Sequence, residues 1–201
     1  SSNVPKLIIE EGTVIAFDQA ELIVGSNSSG NGALIADGVT FTSLDTTVIW
    51  DGITFKNYSS VNNQNDTLHC RIENSTIEYA NYGVRSNYAR PLLKNSLFKN
   101  NNYGISAGIG SEPYIIKNHF LKNIEPIEII ASNIDNNIIG NTFANNLDSD
   151  SLSSDFIYVY TNDNTYRFSE NKTYDWLANG APYRIKENMW VWENDDNNEV
   201  A

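Results

Sequence analysis

Apolar residues in this chain arrive in short β-branched and aromatic runs separated by Gly, Asn or Asp, and no stripe of 3.6-residue period persists. KLIIEEGTVIAFDQAELIV, with Ile8, Val14, Ile15, Phe17, Leu22 and Val24, reads as strand, turn, strand. GSNSSGNG (25–32) is a loop by composition, and ALIADGVTFTS follows with Leu34, Ile35, Val39 and Phe41 as expected core. VIWDGITF, a polar loop at 57–67 and HCRIENSTIEYA come next. Strands this short bury little in hairpins. They bury a continuous core if the chain winds into coils and each strand pairs in parallel with its counterpart one coil away.

The stretch from Ile72 to Asn146 repeats one phrase: apolar, Asn, apolar, Asn, then Tyr-Gly or its equivalent. Asn74, Asn95, Asn118 and Asn141 recur at steps of roughly 21 to 23 residues, and Gly83, Gly104 and Pro126 keep nearly the same step, a solenoid period. Aligning the coils sets Glu73 beside Lys94 and Lys117, Glu78 beside Lys99 and Lys122, Arg90 beside Glu112, and Tyr82 over Tyr103. Ile72, Leu93 and Ile116 form one apolar stack, and Ile77, Phe98 and Leu121 another. The register at Leu97/Phe98 and Phe120/Leu121 is open by one residue. At about 22 residues per coil the chain holds roughly eight or nine coils, a rod of about 40 Å. The expected fold is an all-β parallel solenoid over residues 1–166. Residues 167–201, rich in Tyr and Trp, form a terminal cap, a departing hairpin or a linker to a following module.

Composition changes this picture in two ways. Asn supplies roughly one residue in seven, far above ordinary usage. It tolerates the left-handed conformation of tight corners and can stack in hydrogen-bonded ladders. The net charge of −12 argues against nucleic acid or anionic membranes as partners. The single Cys70 excludes an internal disulfide and reads as a small buried hydrophobe. No apolar run approaches a membrane span, and no signal peptide precedes Ser1, so the chain is expected to be a mature or excised piece.

KLIIEEGTVIAF, ALIADGVTFTS, WDGITF and ENSTIEYANYGV together resemble the right-handed parallel β-helix repeats of secreted, pectate-lyase-like proteins, over about residues 7–160. The resemblance implies a secreted or cell-surface location. It leaves activity open, because this fold carries lyases, hydrolases, adhesins and passive spacers. WLANGAPYRIKENMWVWEND resembles the lead-in to a fresh module in modular surface proteins, and KLIIEEG the strand that such a lead-in precedes. Neighbouring modules of the same chain are therefore expected partners.

Lyases of this fold hold calcium on clustered carboxylates and use Arg or Lys as base. Arg85, Arg90 and Glu128 are the catalytic candidates on an enzymatic reading, with Arg85, Ser106 and Glu128 in one column. No three carboxylates align on successive coils, so the reading leans away from an enzyme. Glycosidase pairs could form from Glu112 and Asp135, or from Glu125 and Glu128 with Asp148 and Asp150. Asp148, Asp150 and Asp155 carry a faint calcium signal without the Gly and Glu of a calcium loop. His69 and His119 are isolated, and no serine sits in a nucleophile elbow. Asn27, Asn57, Asn65, Asn74 and Asn171 begin glycosylation triplets. Tyr82, Tyr103, Tyr158 and Tyr160 are the binding candidates, flat rings on a β-face suited to a polysaccharide or cell-surface glycan; Tyr158 and Tyr160 alternate along one strand and so share a face. The function expected is an extracellular β-helix module, spacer or adhesive, with a carbohydrate-active enzyme as the alternative.

Overall fold

The computed structural model describes residues 4–26, 31–57, 70–161 and 175–189. Each coil contributes one strand to each of three parallel sheets. The first sheet stacks β1 (Lys6–Ile9), β4 (Ala33–Asp37), β7 (Arg71–Glu73), β10 (Leu92–Lys94), β13 (Tyr114–Ile116) and β16 (Ile138–Ile139). The second stacks β2 (Val14–Phe17), β5 (Thr40–Ser43), β8 (Thr76–Glu78), β11 (Leu97–Lys99), β14 (His119–Leu121) and β17 (Thr142–Ala144). The third stacks β3 (Glu21–Val24), β6 (Trp50–Phe55), β9 (Ala80–Ser86), β12 (Tyr103–Ala107), β15 (Glu125–Ile130), β18 (Ile157–Tyr160) and β19 (Tyr183–Ile185). A single turn of 3₁₀ helix, Ala131–Asn133, follows β15.

The core is three columns of inward side chains, one per sheet. Ile9, Ala36, Ile72, Leu93, Ile115 and Ile138 form the first. Ile15, Phe41, Ile77, Phe98, Phe120 and Phe143 form the second, in which Phe98, Phe120 and Phe143 stack at 5.2 Å between centroids. Leu22, Ile53, Val84, Ile105, Ile127, Ile157 and Tyr183 form the third. Each fully buried Ile, Leu or Phe contributes roughly 1.5–3 kcal/mol of transfer free energy, so the columns hold the coils together. Trp50 is fully buried, stacked on Phe17 at 4.1 Å, and its indole N–H donates to the Glu78 carbonyl. Cys70 is buried, as expected.

Asparagine has two separate structural uses. The corner between the first and second sheets is a column of left-handed residues: Gly12, Gly38, Asn74, Asn95, Lys117 and Gly140. The next residue points inward and builds a ladder. Ser75 Oγ accepts from the Val39 N–H, Ser96 Oγ from Ser75, Asn118 Oδ1 from Ser96, and Asn141 Oδ1 from Asn118. A second ladder runs between the second and third sheets. There Asn101, Asn123 and Asn146 each accept from the coil before, and each Nδ2 donates to a carbonyl on that same preceding coil. The inward corner groups of these ladders thus find partners within the protein.

These two uses correct the expected register. Asn118 and Asn141 occupy the ladder position of Ser75 and Ser96, one residue past the corner position of Asn74 and Asn95. Lys94 therefore lies beside Ile116, not Lys117; Ile115 joins Ile72 and Leu93; and Lys99 faces Leu121, so Phe120 stacks on Phe98. Ile35 faces outward beside Arg71, and Ala36 takes the core position. The pairs Lys94–Glu73, Lys99–Glu78 and Arg90–Glu112 form as expected, at 3.7, 2.8 and 2.7 Å.

The coil count is also corrected. The described residues make six complete coils plus β19, fewer than the sequence period implied. Coils of 21 to 23 residues occur only in the middle, whereas the Val39–Ser75 ladder bond spans 36. The long interval includes residues 58–69, where the sequence predicts a polar loop and which lie outside the described residues. Of the expected cap or hairpin at 167–201, residues 175–189 are described, and β19 there pairs in parallel with β18 as part of a seventh turn. Trp176 packs on the core beside Tyr183, while Trp190 and Trp192 lie outside the described residues.

Candidate functional site

The outer face of the third sheet sets several of the chain's tyrosines beside charged side chains. Its strands are longest, five to seven residues in β9, β12 and β15, so they present more than one outward row. The sheet bends where Gly83, Gly104 and Pro126 align. A Cβ on Gly104 would lie 2.4 Å from the Pro126 carbonyl, so that position admits only glycine. Before this bend one row carries Tyr82, Tyr103 and Glu125; after it a second row carries Thr54, Arg85, Ser106, Glu128, Tyr158 and Arg184. The Arg85–Ser106–Glu128 column read from the sequence is therefore real.

Tyr82 and Tyr103 stack at 4.8 Å with planes 13° apart, and the Arg85 guanidinium sits 4.3 Å from the Tyr82 centroid. Stacked in this way, Tyr82 spends its faces on Tyr103 and Arg85, and Tyr103 spends one face on Tyr82. Of the flat rings expected on this face, Tyr82 is therefore one whose faces are already occupied. Ser106 Oγ donates to Glu128 Oε2 at 3.1 Å. Lys186, just past β19, reaches back across β18 to Glu125 Oε2 at 2.6 Å and Glu128 Oε1 at 3.3 Å, with its Nζ 4.9 Å from the Tyr158 centroid. Burial opposes the Lys186 charge, but the hydrogen bond to Glu125 and the charges of Glu125 and Glu128 outweigh it and raise its pKa.

Tyr158 and Tyr160 share this face. Tyr158 is only 4% exposed, covered by Arg184 and Lys186, and its hydroxyl meets Ser154 Oγ at 2.9 Å, so it is not an open stacking platform. Tyr160 is half-buried. Burial and the Glu128 charge push its phenol up to about 12 against the opposing effect of Arg85. Burial, then Glu125 and Glu128, also raise Tyr103. At the C-terminal end of the face lies a groove of about 360 Å³ lined by Glu125, Asp148, Tyr158, Arg184, Ile185 and Lys186.

The remaining candidates lie elsewhere. Arg90 pairs with Glu112 at the turn entering the first sheet, apart from the Arg85 column. Asp155 Oδ1 accepts from the Asn146 N–H and Nδ2, so this carboxylate ends the second asparagine ladder. Asp148 Oδ1 accepts from the Asp150 and Leu152 N–H groups and shapes its own loop. No group of three His, Cys, Asp or Glu side chains suited to a metal occurs among the described residues, and Asp148, Asp150 and Asp155 are not brought together as one. His119 Nδ1 meets Thr142 Oγ1 at 2.8 Å. His69 and the asparagines at 27, 65 and 171 lie outside the described residues. Asn74 sits at its corner, donating to Asp37 Oδ1.

Sequence reading missed Arg184 and Lys186 because the aromatic C-terminal segment read as packing. The available signal was the alternation Tyr183, Arg184, Ile185, Lys186, a strand with both cations on one side.

No helix among the described residues is long and apolar enough to cross a membrane. No curated protein and no solved structure matches the chain. The family model for a right handed beta helix region matches residues 21–200. With that match over most of its length, and three parallel sheets stacked coil on coil, the chain belongs to the right-handed β-helix family.

Proposed function

We propose that this β-helix is an extracellular rod module that contacts a polysaccharide or cell-surface glycan through the outer face of its third sheet. The observation that carries this reading is the concentration on one face of Tyr82, Tyr103 and Tyr160 with Arg85, Ser106 and Glu128. Tyrosine hydroxyls and carboxylate and guanidinium groups in fixed rows suit saccharide hydroxyls, which both donate and accept. An acidic surface fits an extracellular setting, with net charge −12. Glu125 and Glu128 are bridged by Lys186 and do not stand free across a cleft, which favours binding over hydrolysis.

A glycan array probed with the wild type and with the Tyr82→Ala/Tyr103→Ala double variant tests the reading. Binding above background that the double variant loses supports it; a blank array leaves only the spacer role. In parallel, pectate, alginate and glycosaminoglycans incubated with calcium should show no rise at ~235 nm, because no carboxylate cluster suited to a cation occurs among the described residues. A calcium-dependent rise would make the chain a lyase.

A further inference from the structure

We propose that the groove at the C-terminal end of the third sheet binds one or two units of an uncharged saccharide, a proposal that rests on the glycan-contact reading above. Its volume of about 360 Å³ falls within the usual range for small-ligand sites. Two carboxylates, Glu125 and Asp148, and two cations, Arg184 and Lys186, line it, so its fixed charges cancel.

Each lining charge keeps hydrogen-bonding capacity facing the groove. Lys186 uses two of its three N–H donors on Glu125 and Glu128. Glu125 is engaged through Oε2 and Asp148 through Oδ1, which leaves one oxygen of each without a partner among the described residues. Arg184 forms no ion pair among the described residues. It is 5.5 Å from the centroids of both Phe156 and Tyr158, and no hydrogen bond among the described residues engages its N–H groups. Acceptors and donors together match the hydroxyls of a sugar ring, each of which gives one hydrogen bond and takes another.

An anionic ligand is disfavoured on the same face. Glu128, held by the groove's Lys186, adds negative charge at its side, and the chain as a whole carries −12. A purely apolar ligand would strand four charged groups. The neutral, hydroxyl-rich class is the one that costs neither penalty.

Isothermal titration with neutral gluco-, manno- and galacto-oligosaccharides, against uronate oligosaccharides of equal length, decides the matter. The expected result is binding of a neutral series that weakens about tenfold in Arg184→Ala and in Asp148→Ala, the loss typical of a hydrogen bond to a charged group. Arg184 is exposed, so its truncation should leave the thermal unfolding transition in place. Preference for the uronates overturns the inference. So does neutral binding that survives both groove variants but is lost in Tyr82→Ala/Tyr103→Ala, an outcome that leaves the broader face reading intact. No saccharide bound at all sinks both.

Discussion

A buried asparagine in this protein has a different energetic weight from an exposed one, and position in the ladder decides which applies. Asn123 is 1% exposed; its Oδ1 accepts from Asn101, and its Nδ2 donates to the Phe98 carbonyl and to Asn146 Oδ1. Asn123→Ala orphans several of these groups in a dry interior and should cost at least about 2 kcal/mol in urea unfolding. Asn102, half-buried and bonded only to Asn81 through its side chain at 3.0 Å, makes the comparison: Asn102→Ala should cost under about 1 kcal/mol. Asp155 follows the same logic from the ladder's end. Asp155→Asn keeps an acceptor for Asn146 and should be nearly silent, whereas Asp155→Ala should lose about 1–3 kcal/mol. A thermal melt of the two variants side by side distinguishes an acceptor role from a charge role.

At the scale of the strand, β19 is thinly supported. It is three residues long and, among the described residues, pairs only with β18. Lys186 is the side chain that ties it across to β15. Lys186→Met keeps the stem and removes the tie. Hydrogen exchange should then speed up in β18 and β19 while β9 and β12 keep their protection, because each coil of a solenoid depends chiefly on its neighbours. The same scale explains what could be read beforehand. Tyr82 over Tyr103 and Arg85–Ser106–Glu128 were legible because the coils carrying them differ by 21 or 22 residues, a step that self-alignment detects. The choice between Leu97 and Phe98 was not, since three-residue strands give too short an alternation for either to prevail. What settles it is the ladder, in which Ser96 and Asn118 are equivalent despite different chemistry. Arg184 stayed hidden for another reason: the chain between β17 and β19 departs from the period, so no alignment carries the column forward to it.

The molecule as a whole should lose stability in alkaline surroundings. Tyr103, Tyr160 and Tyr183 all titrate above the ordinary phenol value of 10.0, chiefly through burial, and Lys186 above 10.5. A raised pKa means that the folded state holds its proton more tightly than the unfolded one. The contribution is complete below the unfolded value and is lost as pH climbs through the folded value. The urea midpoint should therefore fall between pH 10 and about 12, the range set by Tyr160. Tyr160→Phe, which has no proton to lose there, should fall less steeply.

The two inward ladders also bear on how such a chain can change length. From Ser75 onward, each rung needs only a short polar side chain at the same place in the next turn, and neither ladder encodes which turn it belongs to. Excising the single coil that runs from Ser96 to Lys117 would bring Ser75 against Asn118, a contact of the kind that Ser96 already makes with Asn118. Such a shortened rod should fold, whereas removing half a coil should not, because every inward column would then meet the wrong sheet. Gene-level duplication or loss is thus tolerated in whole turns, so the rod's reach is set in steps of about 4.8 Å, the rise of one strand on the next.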